Sequence, residues 1–399
     1  MTAPDRFASQ AAAPSGRTDP SARATHLFGL DLLRIVAAAM VLLNHFGAYG
    51  WQRPDGFAVG ADAAFPALSS MVGTGAVGVE IFFVISGFVI AMSASGARPM
   101  RFATGRVIRI APALWTCAVI ALVARLLHGE PVGALLDAFS RSVILWPDGP
   151  YIDGVVWTLV VEAVFYGLVF LSMLAGPAVS LERLALGIGT ASAAFVALFA
   201  YATFGASGPG AGELAATLDR FAFKLLLLRH GVFFAIGMLV FSVHRHGWKR
   251  WKALALVAFG AFALAEIAAS AGGGADSAVQ GGLWLVGLGA VVASVRYRDA
   301  IARCLAGLHG PSRELGRLSY PLYLNHYSLG MVLVPSLFAA GLGPPAALAV
   351  SLAIVIASSW WVVRVPERWG QRALRRLLQP DPAPSRMAAP AVPAAPRGA

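Results

Sequence analysis

Ten apolar stretches, each close to the length that crosses a bilayer, recur along the chain between two polar ends. A transmembrane helix needs ~20 mainly apolar residues, and only 13% of this chain is charged, with a mean hydropathy of +0.70. That composition excludes an ordinary soluble protein. The sequence therefore predicts an all-α integral membrane protein, a polytopic bundle of about ten transmembrane helices. The predicted spans are 27–50, 76–95, 110–128, 156–175, 184–204, 221–243, 253–270, 280–295, 317–339 and 345–363.

The positions of lysine and arginine predict the orientation of this bundle. Cationic loops stay in the cytoplasm, and with the N-terminus inside, 24 of the 31 lysines and arginines fall in cytoplasmic segments. Both termini are then cytoplasmic, and one positive membrane face explains the net charge of +11 without nucleic acid.

The chain divides into a disordered cytoplasmic N-terminal tail (1–26), a transmembrane domain (27–365) and a C-terminal cytoplasmic tail (366–399), which is basic and then rich in proline and alanine. The longest outer segment, 129–155, contains Pro, Gly and Asp and is predicted to be a turn-rich lid. No appended outer domain is expected.

The first span carries two ionisable residues at membrane depth, Arg34 and His45. They are eleven residues apart, which is three helical turns and ~16 Å of rise, so they share one helix face. Ala38 and Val41 lie between them and leave room for a long, thin ligand. Because a charged side chain in a membrane is costly unless it is paired or faces a cavity, this stripe indicates a site. The alternative is that Arg34 only pairs with Asp31, one turn below.

Other polar residues lie at compatible depths. Glu80 and Glu162 are predicted, like His45, ~9–10 Å below the outer surface, so that a histidine and two carboxylates can meet in one layer. Ser319, Tyr323 and His326 lie on one face of the ninth span. No metal site is predicted.

A short basic stretch, 98–109, precedes Pro112 and is expected along the inner membrane surface. It contains Arg106 and Arg109. One interpretation is an anchor for lipid headgroups; the other is a binding site for a polyanionic ligand.

Five segments, taken in order, resemble the acyltransferase family 3 of integral membrane O-acyltransferases, from about residue 27 to residue 365. Two departures are small: Glu80 stands where aspartate is commoner, and Ala163 follows Glu162 where a second acidic residue is frequent. The segments are "LDLLRIVAAAMVLLNH", "GAVGVEIFFVISGFVI", "RFATGRVIRIAPALW", "WTLVVEAVFY" and "LGRLSYPLYLNH".

The resemblance implies transfer of an acyl group, commonly acetyl, from cytoplasmic acyl-CoA to a hydroxyl of a carbohydrate or a glycosylated small molecule. Acyl-CoA is then a donor substrate rather than a bound cofactor, and the protein lies in the cell's inner membrane in contact with lipid. Arg34, Arg106 and Arg109 are expected to hold the CoA, and the ~16 Å from Arg34 to His45 is about the reach of its pantetheine arm.

The mechanistic hypothesis makes His45 the general base, with Glu80 or Glu162 fixing its tautomer. An acyl-histidine intermediate is the variant. The three polar residues of the ninth span would line the path of the acceptor or of the pantetheine arm, and one continuous polar passage would join Arg34 to His45.

Two other classes of function stay open at this point. In a proton-coupled transporter or flippase, His45, Glu80 and Glu162 would form a proton relay, and a signalling or scaffold protein would need no chemistry. The acceptor is open as well: an outer polysaccharide or lipid-linked sugar and an inner glycosylated small molecule both fit the family.

Overall fold

A computed structural model describes residues 27–52, 57, 65–176, 179–207 and 210–379. This part of the chain contains helices and no strand, so the fold is all-α. The helices are α1 (Phe28–Asn44), α2 (Pro66–Val72), α3 (Gly78–Ala94), α4 (Pro99–Leu127), α5 (Val132–Val143), α6 (Val156–Leu174), α7 (Leu181–Ala200), α8 (Ala211–Leu218), α9 (Phe221–Leu225), α10 (Gly231–His246), α11 (Arg250–Ser270), α12 (Gly274–Arg296), α13 (Arg298–Cys304), α14 (His309–Ala339), α15 (Pro344–Arg364) and α16 (Pro366–Leu378).

Eight helices in the described ranges are long and apolar enough to cross a membrane, as expected for a multi-pass membrane protein. They coincide with eight of the ten predicted spans. Their bounds, including short irregular turns at some ends, are Phe28–Tyr49, Ala67–Ala94, Pro99–Leu127, Val156–Leu174, Leu181–Gly205, Arg250–Ser270, Gly274–Arg296 and Pro344–Leu378.

The other two predicted spans, 221–243 and 317–339, are helical but differ from simple crossings. The first is broken: α9 ends at Leu225, the chain turns with Leu227 at a φ of 61°, and α10 has only 16 residues. The second is part of the 31-residue α14, in which Asn325 and His326 are among the polar residues that lower its hydropathy.

Three further segments depart from the sequence prediction. The basic stretch 98–109 is not a strip along the membrane surface, because α4 continues as one helix of 29 residues through Pro112. The predicted lid contains the helix α5. The predicted C-terminal tail begins with the helix α16, while residues 1–26 and 380–399 lie outside the described residues.

A buried helix, α10, forms the centre of one half of the bundle and packs against α3, α7 and α11. The backbones of α3 and α10 touch at two glycines: a Cβ on Gly87 would overlap the carbonyl oxygen of Phe234, and one on Gly237 would overlap that of Val84. Such close contact between helices is typical of small residues in membranes. The two helices are therefore closely packed along this contact. In the other half of the bundle, α1 packs on α14.

Candidate active site

Five helices, α1, α3, α4, α6 and α14, enclose a cavity with about 920 Å³ of empty space. Arg34, Arg106 and Arg109 line one end, and Thr158 and Tyr323 line the other. The walls between them are mostly apolar, with the polar side chains of Ser86, Glu162 and Ser319 among them. The cavity is therefore cationic at one end and largely apolar along its length.

Arg34 both pairs with Asp31 and lines the cavity, the two alternatives that the sequence left open. Its guanidinium lies 3.6 Å from the carboxylate of Asp31, one turn away, and its side chain also lines the cavity. Arg106 and Arg109, one turn apart on α4, line the same end because α4 begins at Pro99 and so contains nearly all of the basic stretch 98–109.

The predicted layer of His45, Glu80 and Glu162 does not form. Glu162 accepts a hydrogen bond from Ser86 on the cavity wall. Glu80 lies in a separate cluster with His230 and Glu266, whose potential ligand atoms are all within 4.8 Å of one another. The prediction failed because equal depth in the membrane does not determine which neighbour a helix face meets.

The Glu80 cluster has the spacing of a metal site. Its most buried carboxylate, that of Glu266, is already hydrogen-bonded to Arg229. Arg229 donates two hydrogen bonds to one oxygen of Glu266, at 3.1 and 2.6 Å, and lies against Asp219 as well. Within the described residues, Oε2 of Glu266 and both ring nitrogens of His230 are nevertheless buried without a hydrogen-bond partner, so this cluster keeps unused ligand atoms at a place separate from the donor cavity. Among the residues that the structure describes, Glu80 and Glu162 thus have partners other than His45.

The partner of His45 is His326 of α14. The Nδ1 atom of His45 lies 2.9 Å from Nε2 of His326, and Nδ1 of His326 lies 2.8 Å from the carbonyl oxygen of Tyr323. A carbonyl only accepts, so in the neutral ring Nδ1 of His326 carries the proton and its Nε2 accepts from His45. His45 is therefore protonated on Nδ1 and has its lone pair on Nε2, the state that a general base requires.

His45 also begins an irregular turn. Regular α-helix ends at Asn44, and residues His45–Tyr49 form a π-helical turn. Such turns are rare and often lie at functional sites. Asn44 fixes this one by donating a hydrogen bond of 2.7 Å to the carbonyl oxygen of Gly73. Asn44 was not among the predicted site residues, although it directly precedes His45.

Tyr323 separates the cavity from the two histidines. Its hydroxyl lies 3.0 Å from that of Thr158, its ring packs edge-on against Phe82 with 5.7 Å between the centroids, and neither His45 nor His326 is among the residues that line the cavity. The expected continuous passage from Arg34 to His45 is thus interrupted in this structure. Thr158 was missed as well, although it lies one turn before Glu162 on the same helix face.

On its other side the partly buried ring of His45 contacts two tyrosines. The centroids of Tyr49 and Tyr327 lie 5.2 and 5.1 Å from that of His45, both edge-on. Both tyrosines are themselves only partly buried. They lie toward the end of the bundle opposite the arginines, since Tyr49 is one turn beyond His45.

The segment before α6 is hydrogen-bonded to α14 close to His326. Asp153 accepts a hydrogen bond of 2.9 Å from the backbone N–H of Ser328, and the carbonyl of Ile152 accepts one from the Ser328 hydroxyl. Burial raises the pKa of Asp153 to about 6, even though the N–H groups of Ser328 and Val155 favour its ionised form. A buried aspartate thus helps to position the helix that carries His326.

Comparison with known proteins adds an independent finding. A family model described as "Acyltransferase domain" matches residues 27–364. A curated protein from Caenorhabditis elegans named "Regulator of hypoxia-inducible factor 1" is 32% identical over 135 residues, which are 31% of this chain and 26% of that protein. The match thus spans about a quarter of the relative's length. No solved structure matches.

Proposed function

The chain belongs to acyltransferase family 3, and from that premise we propose that it is a membrane-embedded O-acyltransferase. It moves an acyl group, acetyl in the simplest case, from cytoplasmic acyl-CoA to a hydroxyl of a carbohydrate or a glycosylated small molecule. The membrane is the inner membrane of the cell. The name of the nematode relative describes regulation, and its short match lends no activity to this chain.

The shape of the cavity supports acyl-CoA as the donor. A CoA molecule is polyanionic at its nucleotide end and uncharged along its pantetheine arm. The cavity has the same polarity: Arg34, Arg106 and Arg109 at its mouth are suited to phosphate, and its walls beyond them are mainly apolar. The arm would then bring the thioester up to Tyr323, next to His326.

The observation that carries this proposal is the hydrogen bond between His45 and His326, which leaves Nε2 of His45 free to accept a proton. That atom removes the proton of the acceptor hydroxyl as the oxygen attacks the thioester carbonyl. The tetrahedral intermediate then expels the CoA thiolate, which takes the proton back from His45. An ester and free CoA result, and His326 stabilises the imidazolium form of His45 throughout.

Tyr323 must move for the two substrates to meet. We infer that its side chain swings away from Thr158 when the pantetheine arm fills the cavity, because its hydroxyl and ring lie at the end of the cavity next to the histidine pair. The acceptor would approach the His45 ring from the side of Tyr49 and Tyr327, opposite the arginines. Tyr323 and Ser319 then contact the donor, whereas His326 positions the base.

The test uses detergent-purified protein, acetyl-labelled acetyl-CoA and a panel of glycans and glycosides. We expect label on an acceptor hydroxyl and release of one free thiol for each ester formed. Mass spectrometry of surface glycans from cells with and without the intact protein identifies the natural acceptor. Label that never leaves acetyl-CoA across the panel, or a transporter-like movement of substrate without ester formation, would contradict the proposal.

The matched control is His45→Ala. It should bind acetyl-CoA as the wild type does, because His45 does not line the donor cavity, and it should fail to transfer the acetyl group. Retained turnover in this variant would show that another group is the base.

A further inference from the structure

A wide basin opens at the cationic end of the donor cavity. It has about 1660 Å³ of empty space and is lined by eight arginines and a single acidic residue, Asp31. Part of this space is open to solvent, so a bulky ligand can enter it directly. The arginines are Arg34, Arg106, Arg109, Arg313, Arg317, Arg368, Arg372 and Arg375.

Of the helices that line the basin, three present two or more arginines each, one or two turns apart. Arg106 and Arg109 come from α4, and Arg313 and Arg317 come from the first turns of α14. The amphipathic helix α16 contributes Arg368, Gln371, Arg372 and Arg375, which are spaced i, i+3, i+4 and i+7 and so share one face. Convergence of three helices on one concave surface is more specific than a basic stretch along a chain.

The helix α16 is held in place by contacts with α4. Arg109 makes a 3.0 Å ion pair with the fully buried Glu367, and Gln379 donates a hydrogen bond to Thr104 of α4. The segment expected to be a tail is therefore docked against the donor-binding helix. Its arginine face is presented toward the cavity mouth rather than away from the bundle.

The charges of the basin are not balanced by protein. Ion pairs within 4.0 Å join Arg34 to Asp31, Arg109 to Glu367 and Arg368 to Glu314. In the described part of the chain, the other five arginines that line the basin have no such acidic partner. Cationic groups gathered on one concave surface attract an anion that carries several charges.

The basin and the donor cavity are continuous. Arg34, Val89, Arg106 and Arg109 line both. We propose that the basin binds the 3′-phosphorylated adenosine diphosphate part of acyl-CoA, and that α16, through Arg372 and Arg375, is part of this nucleotide site. The inference rests on the proposed function. It assigns to the donor substrate a helix that lies outside the matched family region.

The test measures the affinity of purified full-length protein for CoA and for 3′-dephospho-CoA by calorimetry in an uncharged detergent. Hydrogen bonds to ionised groups are strong enough that losing the 3′-phosphate should weaken binding by roughly tenfold or more in the wild type. In the double variant Arg372→Gln/Arg375→Gln, CoA should bind roughly tenfold or more weakly, and the preference for CoA over 3′-dephospho-CoA should shrink. The matched control Arg376→Gln lies on the same helix but outside the basin lining, and it should keep both values.

Three outcomes overturn the proposal, and each has a separate meaning. Equal affinity of the wild type for the two molecules, in a protein that transfers acetyl groups, would refute the nucleotide site and leave the acyltransferase function intact. Failure to bind either molecule would refute acyl-CoA as the donor. Unchanged CoA affinity in the double variant, together with weaker association with nanodiscs that contain phosphatidylglycerol than the wild type has, would identify the basin as a lipid-headgroup site.

Discussion

The hydrogen bond from His45 to His326 leads to a quantitative prediction. Replacing His326 with alanine removes the group that accepts the Nδ1 proton of His45 at 2.9 Å. In the ground state this bond joins two neutral rings, worth ~0.5–1.5 kcal/mol. As His45 takes the acceptor's proton, the donor becomes an imidazolium, and bonds to charged groups are worth ~1.5–3 kcal/mol.

Only the difference between these two states accelerates the reaction. A gain of ~1–1.5 kcal/mol in the transition state corresponds to about tenfold in kcat, so His326→Ala should lower kcat by roughly that factor, with an unchanged KM for acetyl-CoA. His45→Ala removes the general base and should lower kcat by ~10²–10⁴-fold. The double variant should be no slower than His45→Ala alone, because His326 acts only through His45.

The assay measures initial rates of thiol release with saturating acceptor for the wild type, both single variants and the double variant. His326→Gln serves as the conservative control: its amide oxygen can accept from His45 Nδ1–H, so most of the lost rate should return. Thermal unfolding in detergent checks that each variant is folded. The reasoning is refuted if the double variant is about tenfold slower than His45→Ala, since the two residues would then act independently, or if His326→Ala has the kcat of the wild type.

Four further predictions test the site and the fold. Arg34→Gln should raise the KM for acetyl-CoA by roughly tenfold or more with little change in kcat, as expected for a lost charge-assisted contact to phosphate; unchanged affinity in a binding assay would remove Arg34 from the donor site. Tyr323→Ala should increase hydrolysis of acetyl-CoA in the absence of an acceptor, because it opens the cavity toward the histidine pair, and a rate equal to the wild type's would contradict a closing role. The pKa of Asp153 is about 6 against an ordinary 3.8, so the folded state holds its proton more tightly, and the contribution of this group to stability is greatest below pH 3.8 and is lost, at ~3 kcal/mol, as pH rises from there through 6. Asp153→Asn should lack this part of the pH dependence in melting curves measured beside the wild type. Gly237→Ala should lower the melting temperature strongly by forcing α3 and α10 apart, at ~1–3 kcal/mol or more, whereas Gly260→Ala, with open space at its Cβ, should not.

Much of the architecture was readable from hydropathy and charge. Apolar runs of bilayer length predicted an all-α membrane bundle, and eight of ten runs are helices able to cross. Arg34 lies in α1 and His45 begins the π-helical turn that continues it, and Ser319 and Tyr323 line the same cavity as Arg34. These features depend on the period and the length of a single helix, which the local sequence determines.

The irregular parts were beyond this kind of pattern. The break before α10, the continuation of α4 through Pro112 and the π-helical turn at His45 all depend on contacts with other helices. Asn44, for example, holds the π-helical turn through the backbone of Gly73, 29 residues away. Hydropathy alone also led to the prediction that the residues of α16 belong to a cytoplasmic tail. Their basic character suggested exposure, whereas the contacts that hold the helix are made with α4 and α14.

The pairing of the ionisable groups was decided only by the tertiary structure. The sequence placed His45, Glu80 and Glu162 at one depth, but depth is only one of the coordinates that determine a contact. The rotation of each helix about its own axis, set by close packing such as that of Gly87 on Phe234, turns Glu80 toward Glu266 and brings His326 to His45. The sequence by itself therefore determined which groups are buried in the membrane, and helix packing determined which of them meet.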